Sequence, residues 1–169
     1  MRPGDAVEMK ACGGLQVDLR PQTKQIRFRS AIIKKFGLIA GGSGIAPMLQ
    51  LIRAALNPPY SDSFETIRLI YAAEDERELT YKHLLRSYQR QTPDKFTCDF
   101  VLNNPPEGWT EGVGYIDKAV LQHALPPPSK DLLIAICGPP VMQRSAKRYL
   151  HELGYSDKLV HTVDEGMVY

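Results

Sequence analysis

Two short stretches hold the residue types from which a binding site for a phosphate-bearing ligand is built. In KFGLIAGGSGIAPMLQLIRAAL (residues 35–56), Gly41, Gly42 and Gly44 fall within four positions. An apolar run precedes them, and Ile45, Met48, Leu49, Ile52 and Leu56 follow at helical spacing. Pro47 fits such a helix only in its first turn. A strand, a glycine turn and a helix start put unpaired backbone N–H groups and the positive end of the helix dipole where a phosphate can approach. A side chain at the glycines would block that approach. The competing reading is a tight strand-to-helix turn and nothing more, because GGSG is followed by Ile-Ala-Pro rather than by the third glycine of a G-x-G-x-x-G fingerprint. The second stretch, LLIAICGPPVMQ (residues 132–143), repeats the design with Cys137-Gly138 closing an apolar run, Pro139-Pro140 opening a helix and Met142 just inside it. Ligands of open α/β sheets bind outside the carboxyl ends of the strands, where strand order reverses. Two strand ends marked in this way would line one crevice, long enough for a dinucleotide.

Those turns require a sheet to carry them. The runs FGLIAG (36–41), TIRLIYAA (66–73), FTCDFVL (96–102), LLIAIC (132–137) and KLVHTV (158–163) read as strands. Between them ELTYKHLLRSYQRQ, DKAVLQHAL and VMQRSAKRYLHELG carry apolar residues at three- and four-residue spacing and read as helices. The alternation predicts right-handed βαβ units, and so an α/β, Rossmann-like, doubly wound parallel sheet of about five strands over residues 34–169. Residues 1–33 follow another pattern. Pro3-Gly4-Asp5 signals a turn, Val7 and Met9 alternate with Glu8 and Lys10, and Leu15, Val17 and Leu19 alternate with Gln16 and Asp18, which reads as an antiparallel hairpin. Ile26 and Phe28, alternating with Arg27 and Arg29, add one strand. Three short strands cannot bury a core of their own. They either lie against the α/β domain or end a β domain that begins earlier.

Composition narrows the function classes. No apolar run approaches the about 18 residues that a membrane span needs, and a net charge of +2 gives no global attraction for nucleic acid. Cys12, Cys98 and Cys137 are odd in number and widely spaced, which argues against a disulfide framework and fits a reducing, cytoplasmic setting. His83, His123, His151 and His161 show no ligand-like spacing with one another or with the cysteines, so no metal site is expected. MRPGDAVEMK contains no targeting pattern. The basic segment KQIRFRSAIIKK (24–35) suits docking of an acidic electron-transfer partner, but strand alternation already explains it as a solvated face.

GLIAGGSGIAPMLQLIRAAL, EGWTEGVGYI and LLIAICGPPVM, in that order, resemble the NAD-binding domain of the ferredoxin–NADP reductase superfamily, and within it the NADH–cytochrome b5 reductase branch. The resemblance covers nearly the whole chain. It implies a flavoprotein oxidoreductase in which hydride passes from NADH to FAD on a preceding β-barrel domain, and single electrons then pass to cytochrome b5 or a similar haem acceptor. By position, Gly41, Gly42, Ser43 and Gly44 would hold the pyrophosphate, and Cys137, Gly138 and Pro139 would face the nicotinamide. Ser43 and Cys137 are the catalytic candidates beside the hydride path, with Cys137 packing as a small polarizable side chain and not attacking as a nucleophile. Pro47, Pro140 and Met142 complete the two motifs as cofactor-binding candidates. Glu74 and Asp75, in YAAEDERE, would accept hydrogen bonds from ribose hydroxyls and repel a 2′-phosphate. The branch often has an acid where this chain has Asn103, which keeps NADPH open beside NADH.

The family's flavin motifs, Arg-x-Tyr-Ser/Thr and Gly-Lys-x-Ser, do not occur, and MRPGDAVEMKACGG resembles the barrel segment that follows them. The expectation is the C-terminal part of a reductase, lacking most of its FAD-binding domain, binding FAD weakly or not at all and inactive alone. An anchor on an earlier segment would place it on the cytosolic face of a membrane. The alternative is a non-catalytic dinucleotide-binding or interaction module that keeps the fold without flavin chemistry. Tyr169, at the end of DEGMVY, either takes the place of the aromatic that relatives set near the flavin or belongs to a disordered tail.

Overall fold

The computed structural model describes residues 8–11, 15–20 and 22–163; Pro3-Gly4-Asp5, Cys12 and the DEGMVY tail with Tyr169 lie outside them. Four short antiparallel strands come first: β1 (Glu8–Ala11), β2 (Leu15–Arg20), β3 (Gln25–Phe28) and β4 (Ala31–Ile33), side by side in chain order. The fourth extends the expected three, and Ile33 pairs with Ile26. Its three residues are too few for alternation to register.

A parallel sheet of six strands follows. β5 (Lys35–Gly41), β6 (Thr66–Ala73), β7 (Phe96–Leu102), β8 (Gly112–Val113), β9 (Leu132–Cys137) and β10 (Val160–Thr162) lie in the order β10-β9-β5-β6-β7-β8. The sequence predicts about five, and the extra strand is the two-residue β8, which pairs with the end of β7. KLVHTV is also shorter than expected: Asp157–Leu159 form a 3-10 turn, with Leu159 N–H donating to Ser156 O at 2.9 Å, and only Val160–Thr162 pair with β9.

The helices are α1 (Ile45–Leu56), α2 (Lys82–Gln91), α3 (Lys118–Ala124) and α4 (Pro140–Glu152). The stretch ELTYKHLLRSYQRQ becomes helical only from Lys82, because a 3-10 turn over Glu76–Glu78 comes first and buried Leu79 ends it. β5 and β9 are apolar on both sides because both sides are covered. On one face Phe36, Leu38, Leu69 and Tyr71 pack against Met48, Ile52 and Leu85 of α1 and α2; on the other, Ile39, Ile70, Ile134 and Ile136 meet Leu121 and Leu150 of α3 and α4. Each such side chain, withdrawn from water, stabilises the fold by about 1.5–3 kcal/mol. Ile26, Phe28 and Ile33 join the first of these cores, and the Phe28 ring meets His161 edge to face at 5.7 Å, so β3 and β4 lie against the α/β domain. No helix among the described residues is long and apolar enough to cross a membrane.

Candidate functional site

Strand order reverses between β5 and β9. From β5 the chain crosses by α1 on one face to β6, and from β9 it crosses by α4 on the other face to β10. The two helices therefore diverge from adjacent strand ends, where Ala40 pairs with Cys137, and leave a crevice between them.

The glycines at this junction serve two different ends. A Cβ on Gly44 would lie 2.2 Å from the carbonyl oxygen of Cys137, one on Gly138 would lie 2.9 Å from the Gly41 backbone, and one on Gly41 would lie 2.8 Å from Met142 Sδ. These three are glycine because the strand ends touch, backbone against backbone or against α4. Gly42 alone in the cluster has the open surroundings expected of a phosphate turn: its φ is +53° and an added Cβ would meet no atom of the described residues within 4 Å. Sequence reasoning assigned ligand access to all the glycines. It missed the mutual packing because residues 41 and 138 are distant in the chain.

A cleft of about 510 Å³ opens here on the side of α3 and α4. Of the sequence-predicted residues, Gly41, Gly42, Glu74, Asn103, Pro139 and Met142 line it. Ser43 is exposed in the 3-10 turn Gly42–Gly44, and Pro47 is buried in the first turn of α1. Cys137 is 1% exposed, its side chain in the core on the α1 face, while Gly138 is buried and Pro140 exposed at the start of α4. Neither α1 nor α4 has a side-chain cap or an acidic residue in its first turn. Both helix starts thus offer the crevice undiminished positive dipole ends.

The far end of the cleft is acidic. The Glu74 carboxylate accepts from Asn103 Nδ2 at 2.8 Å and from Asn104 Nδ2 at 2.7 Å, and the Glu78 carboxylate accepts from Glu74 N–H at 3.2 Å. Asp75 turns elsewhere. It accepts from Arg77 N–H at 2.9 Å and Nη2 at 2.8 Å, and those hydrogen bonds hold its carboxyl below the usual range. Arg77 is thereby paired with Asp75, and the described residues lining the cleft include Glu74, Glu78 and Asp117 but no lysine or arginine. Behind the wall, Tyr71 OH donates to the Glu78 carbonyl at 3.0 Å, and burial pushes the phenol up to about 12.

Residues absent from the sequence-based set also form walls. Tyr115 and Val141 are apolar and highly exposed, at 81% and 66%, and both line the cleft with Glu78, Ser145 and Tyr149. An exposed aromatic beside a glycine in GVGYI was the available signal. The loop that carries Tyr115 is braced from behind: Trp109 Nε1 donates to Gly112 O at 3.0 Å, Lys82 Nζ sits 4.7 Å from the Trp109 ring, and Arg86 pairs with Glu111. Backbone N–H groups at one end, carboxylate acceptors at the other and apolar surface between them suit an extended ligand with a phosphate at one station and hydroxyls at another.

Residues 38–148 match the family described as oxidoreductase NAD-binding domain. The chain is 37% identical over 173 residues to NADH-cytochrome b5 reductase 1 of Rattus norvegicus, covering 96% of this chain and 55% of that protein. It is 35% identical over 159 residues to NADH-cytochrome b5 reductase 1 of Dictyostelium discoideum, covering 94% and 51%. Among solved structures, the cytochrome b5 reductase domain of Ulva prolifera nitrate reductase superposes with a TM-score of 0.76 at 25% identity, over 88% of this chain and 55% of that one. The chain spans about half the length of the curated relatives it matches.

Proposed function

The chain belongs to the oxidoreductase NAD-binding domain family, and from that premise we propose that its cleft binds NADH as one half of a flavin-dependent reductase. In that reading hydride passes from NADH to FAD, and electrons then pass to cytochrome b5 or a similar haem acceptor. The observation that carries the reading is the junction of GGSG with CGPP: two uncapped helix starts diverge from touching strand ends, and Gly42 alone is open between them.

The residues fit a nicotinamide dinucleotide in a definite direction. The turn Gly42–Gly44 and the start of α1 would hold the pyrophosphate, where backbone N–H groups and the helix dipole would offset its charge. The ribose of the adenosine half meets Glu74, whose carboxylate is oriented by Asn103 and Asn104. Tyr115 and Val141 supply exposed apolar surface for the adenine ring. Ser43, Gly138 and Pro139, at the β5 and β9 ends, would hold the nicotinamide.

NADH supplies the hydride, and FAD accepts it when bound. The chain's contribution to that step is positional: it orients the nicotinamide and excludes water from beneath it, with the packed Cys137 and Gly138 as the floor. Calorimetric titration of the 169-residue chain tests the reading. NADH binds at one site and NADPH more weakly; failure of both to bind overturns it. The absorbance spectrum of the purified chain tests the expectation about flavin, since a stoichiometric flavin band is incompatible with weak FAD binding.

A further inference from the structure

The opposite end of the sheet holds a second cavity, of about 610 Å³, at the amino ends of β9 and β10. Three separate stretches close around it: the β3–β4 turn, the residues just before β9, and the stretch between α4 and β10. Its floor is apolar, formed by Phe28, Leu132 and Ile134, all nearly inaccessible to water. Tyr155 adds the side of its ring to the wall, while its OH is engaged with the Pro126 carbonyl at 2.8 Å.

The charge lining this cavity has one sign. Arg29, Lys130 and Lys158 line it, and among the described residues no aspartate or glutamate does. None of these three cations takes part in an ion pair among the described residues. Of the neighbouring carboxylates, Asp131 accepts from Ser129 at 2.6 Å and pairs with Lys35 at 3.5 Å, while Asp157 is exposed to solvent 3.8 Å from His151 Nδ1. Arg29 is also held in place. Its backbone takes the left-handed conformation, at φ +54°, its guanidinium stands 5.0 Å from the Phe28 ring centroid, and Nη1 donates to the Lys158 carbonyl at 3.1 Å. The remaining guanidinium donors are left for a ligand.

We propose that this cavity is a binding site for a small amphipathic anion, one whose carboxylate, sulfonate or phosphate head meets Arg29, Lys130 and Lys158 while a ring or short chain covers Phe28, Leu132 and Ile134. A bare anion makes no use of the apolar floor, and a neutral apolar molecule leaves three cations without a counter-charge among the described residues. The volume is that of an ordinary small-ligand pocket. Each methylene that the floor buries tightens binding roughly fourfold. Because the walls come from β3–β4 on one side and from β9–β10 on the other, an occupant also ties the antiparallel sheet to the parallel one.

The probe is 8-anilinonaphthalene-1-sulfonate, an anionic aromatic of suitable size, titrated by fluorescence into the full chain. One saturable site is expected, displaced by octanoate more strongly than by hexanoate, and not displaced by inorganic phosphate or by ADP-ribose, which is directed to the other cleft. R29Q/K158Q weakens the probe by about tenfold or more, as loss of charge-assisted hydrogen bonds requires. K130Q/K158Q, which leaves the β3–β4 turn intact, does the same. NADH titration is unchanged in both. Displacement of the probe by ADP-ribose, or undiminished binding in both double variants with native circular dichroism, overturns the proposal.

Discussion

The two cavities sit at opposite ends of one parallel sheet and are lined with opposite charge. Among the described residues, the cleft at the carboxyl ends presents Glu74, Glu78 and Asp117 with no cation, and the cavity at the amino ends presents Arg29, Lys130 and Lys158 with no carboxylate. They also differ in construction. At the carboxyl ends the backbone makes the site, since the glycines let two strand ends touch and the carboxylates are held by amides. At the amino ends side chains on three loops make it, over a floor that belongs to the core. A site made of backbone contact is expected to fail by steric overlap, and one made of side-chain charge by loss of that charge.

The largest effect tests the backbone junction. In Gly44→Ala the new Cβ meets main-chain atoms of Cys137 and Gly138, which cannot move aside as a side-chain tip can. Destabilisation of about 3 kcal/mol or more is expected in denaturant unfolding, at the upper end of overpacking costs. Gly42→Ala has open space around it and loses only about 1–2 kcal/mol from its left-handed backbone, yet it weakens NADH because it narrows the phosphate approach. Equal costs at the two positions would remove the distinction between packing and access glycines.

That distinction also marks what could be read from the sequence. GGSG and CGPP were legible because a strand, a turn and a helix start are contiguous in the chain, and their alternation with other apolar runs gave the parallel sheet and the crevice. β4 and β8, of three and two residues, are too short to show a period. The packing role of Gly41 and Gly138 depends on contacts between residues far apart in the chain. The same holds for the clamp on Glu74, whose amides come from the end of a different strand; the sequence showed the acid and the asparagines but not their pairing. The amino-end cavity had no motif at all. Its walls come from residues 28–31, 128–134 and 154–160, each unremarkable alone. The basic segment was legible in part: Lys24, Lys34 and Lys35 face Asp62, Glu65 and Asp131, as a solvated and locally balanced surface would, while Arg29 belongs to the second cavity.

Two smaller effects sharpen the acidic end. Glu74→Gln keeps an acceptor for only one of Asn103 and Asn104 and removes the charge facing a 2′-phosphate. The preference for NADH over NADPH in calorimetric titration should fall about tenfold, or about 1.4 kcal/mol. An unchanged ratio would place the ribose elsewhere. Tyr71→Phe removes the hydrogen bond to the Glu78 carbonyl and costs about 1 kcal/mol at neutral pH; Thr80 Oγ1 still reaches the same oxygen at 3.3 Å. The pH dependence has a definite sign. Burial raises the phenol from 10.0 to about 12 in the folded chain, so the contribution of Tyr71 is complete below pH 10 and is lost as pH rises towards 12, where the unfolded chain has already ionised. The alkaline decline in stability over that window should be shallower in the Phe variant, as measured by urea unfolding at a series of pH values.

The smallest effect separates the two ends most directly, because it should have opposite signs. At the carboxyl ends a charge is held by neutral donors, so Glu74→Gln removes one of two charge-assisted hydrogen bonds, weakens the other and destabilises the ligand-free chain. At the amino ends three cations share one cavity without a described counter-charge, so neutralising one relieves repulsion. Lys158→Gln should therefore stabilise the ligand-free chain by about 0.3 kcal/mol at low ionic strength, the scale of exposed charge pairs. The gain should vanish in about 1 M salt, where screening acts within a few ångströms. With a saturating amphipathic anion the sign reverses, since the wild-type chain then gains binding free energy that the variant has partly lost. Unfolding midpoints for both variants, in low and high salt and with and without octanoate, give all of these signs. A destabilised Lys158→Gln in low salt without ligand would show that its charge is already matched, and the contrast between the two ends of the sheet would reduce to one of shape.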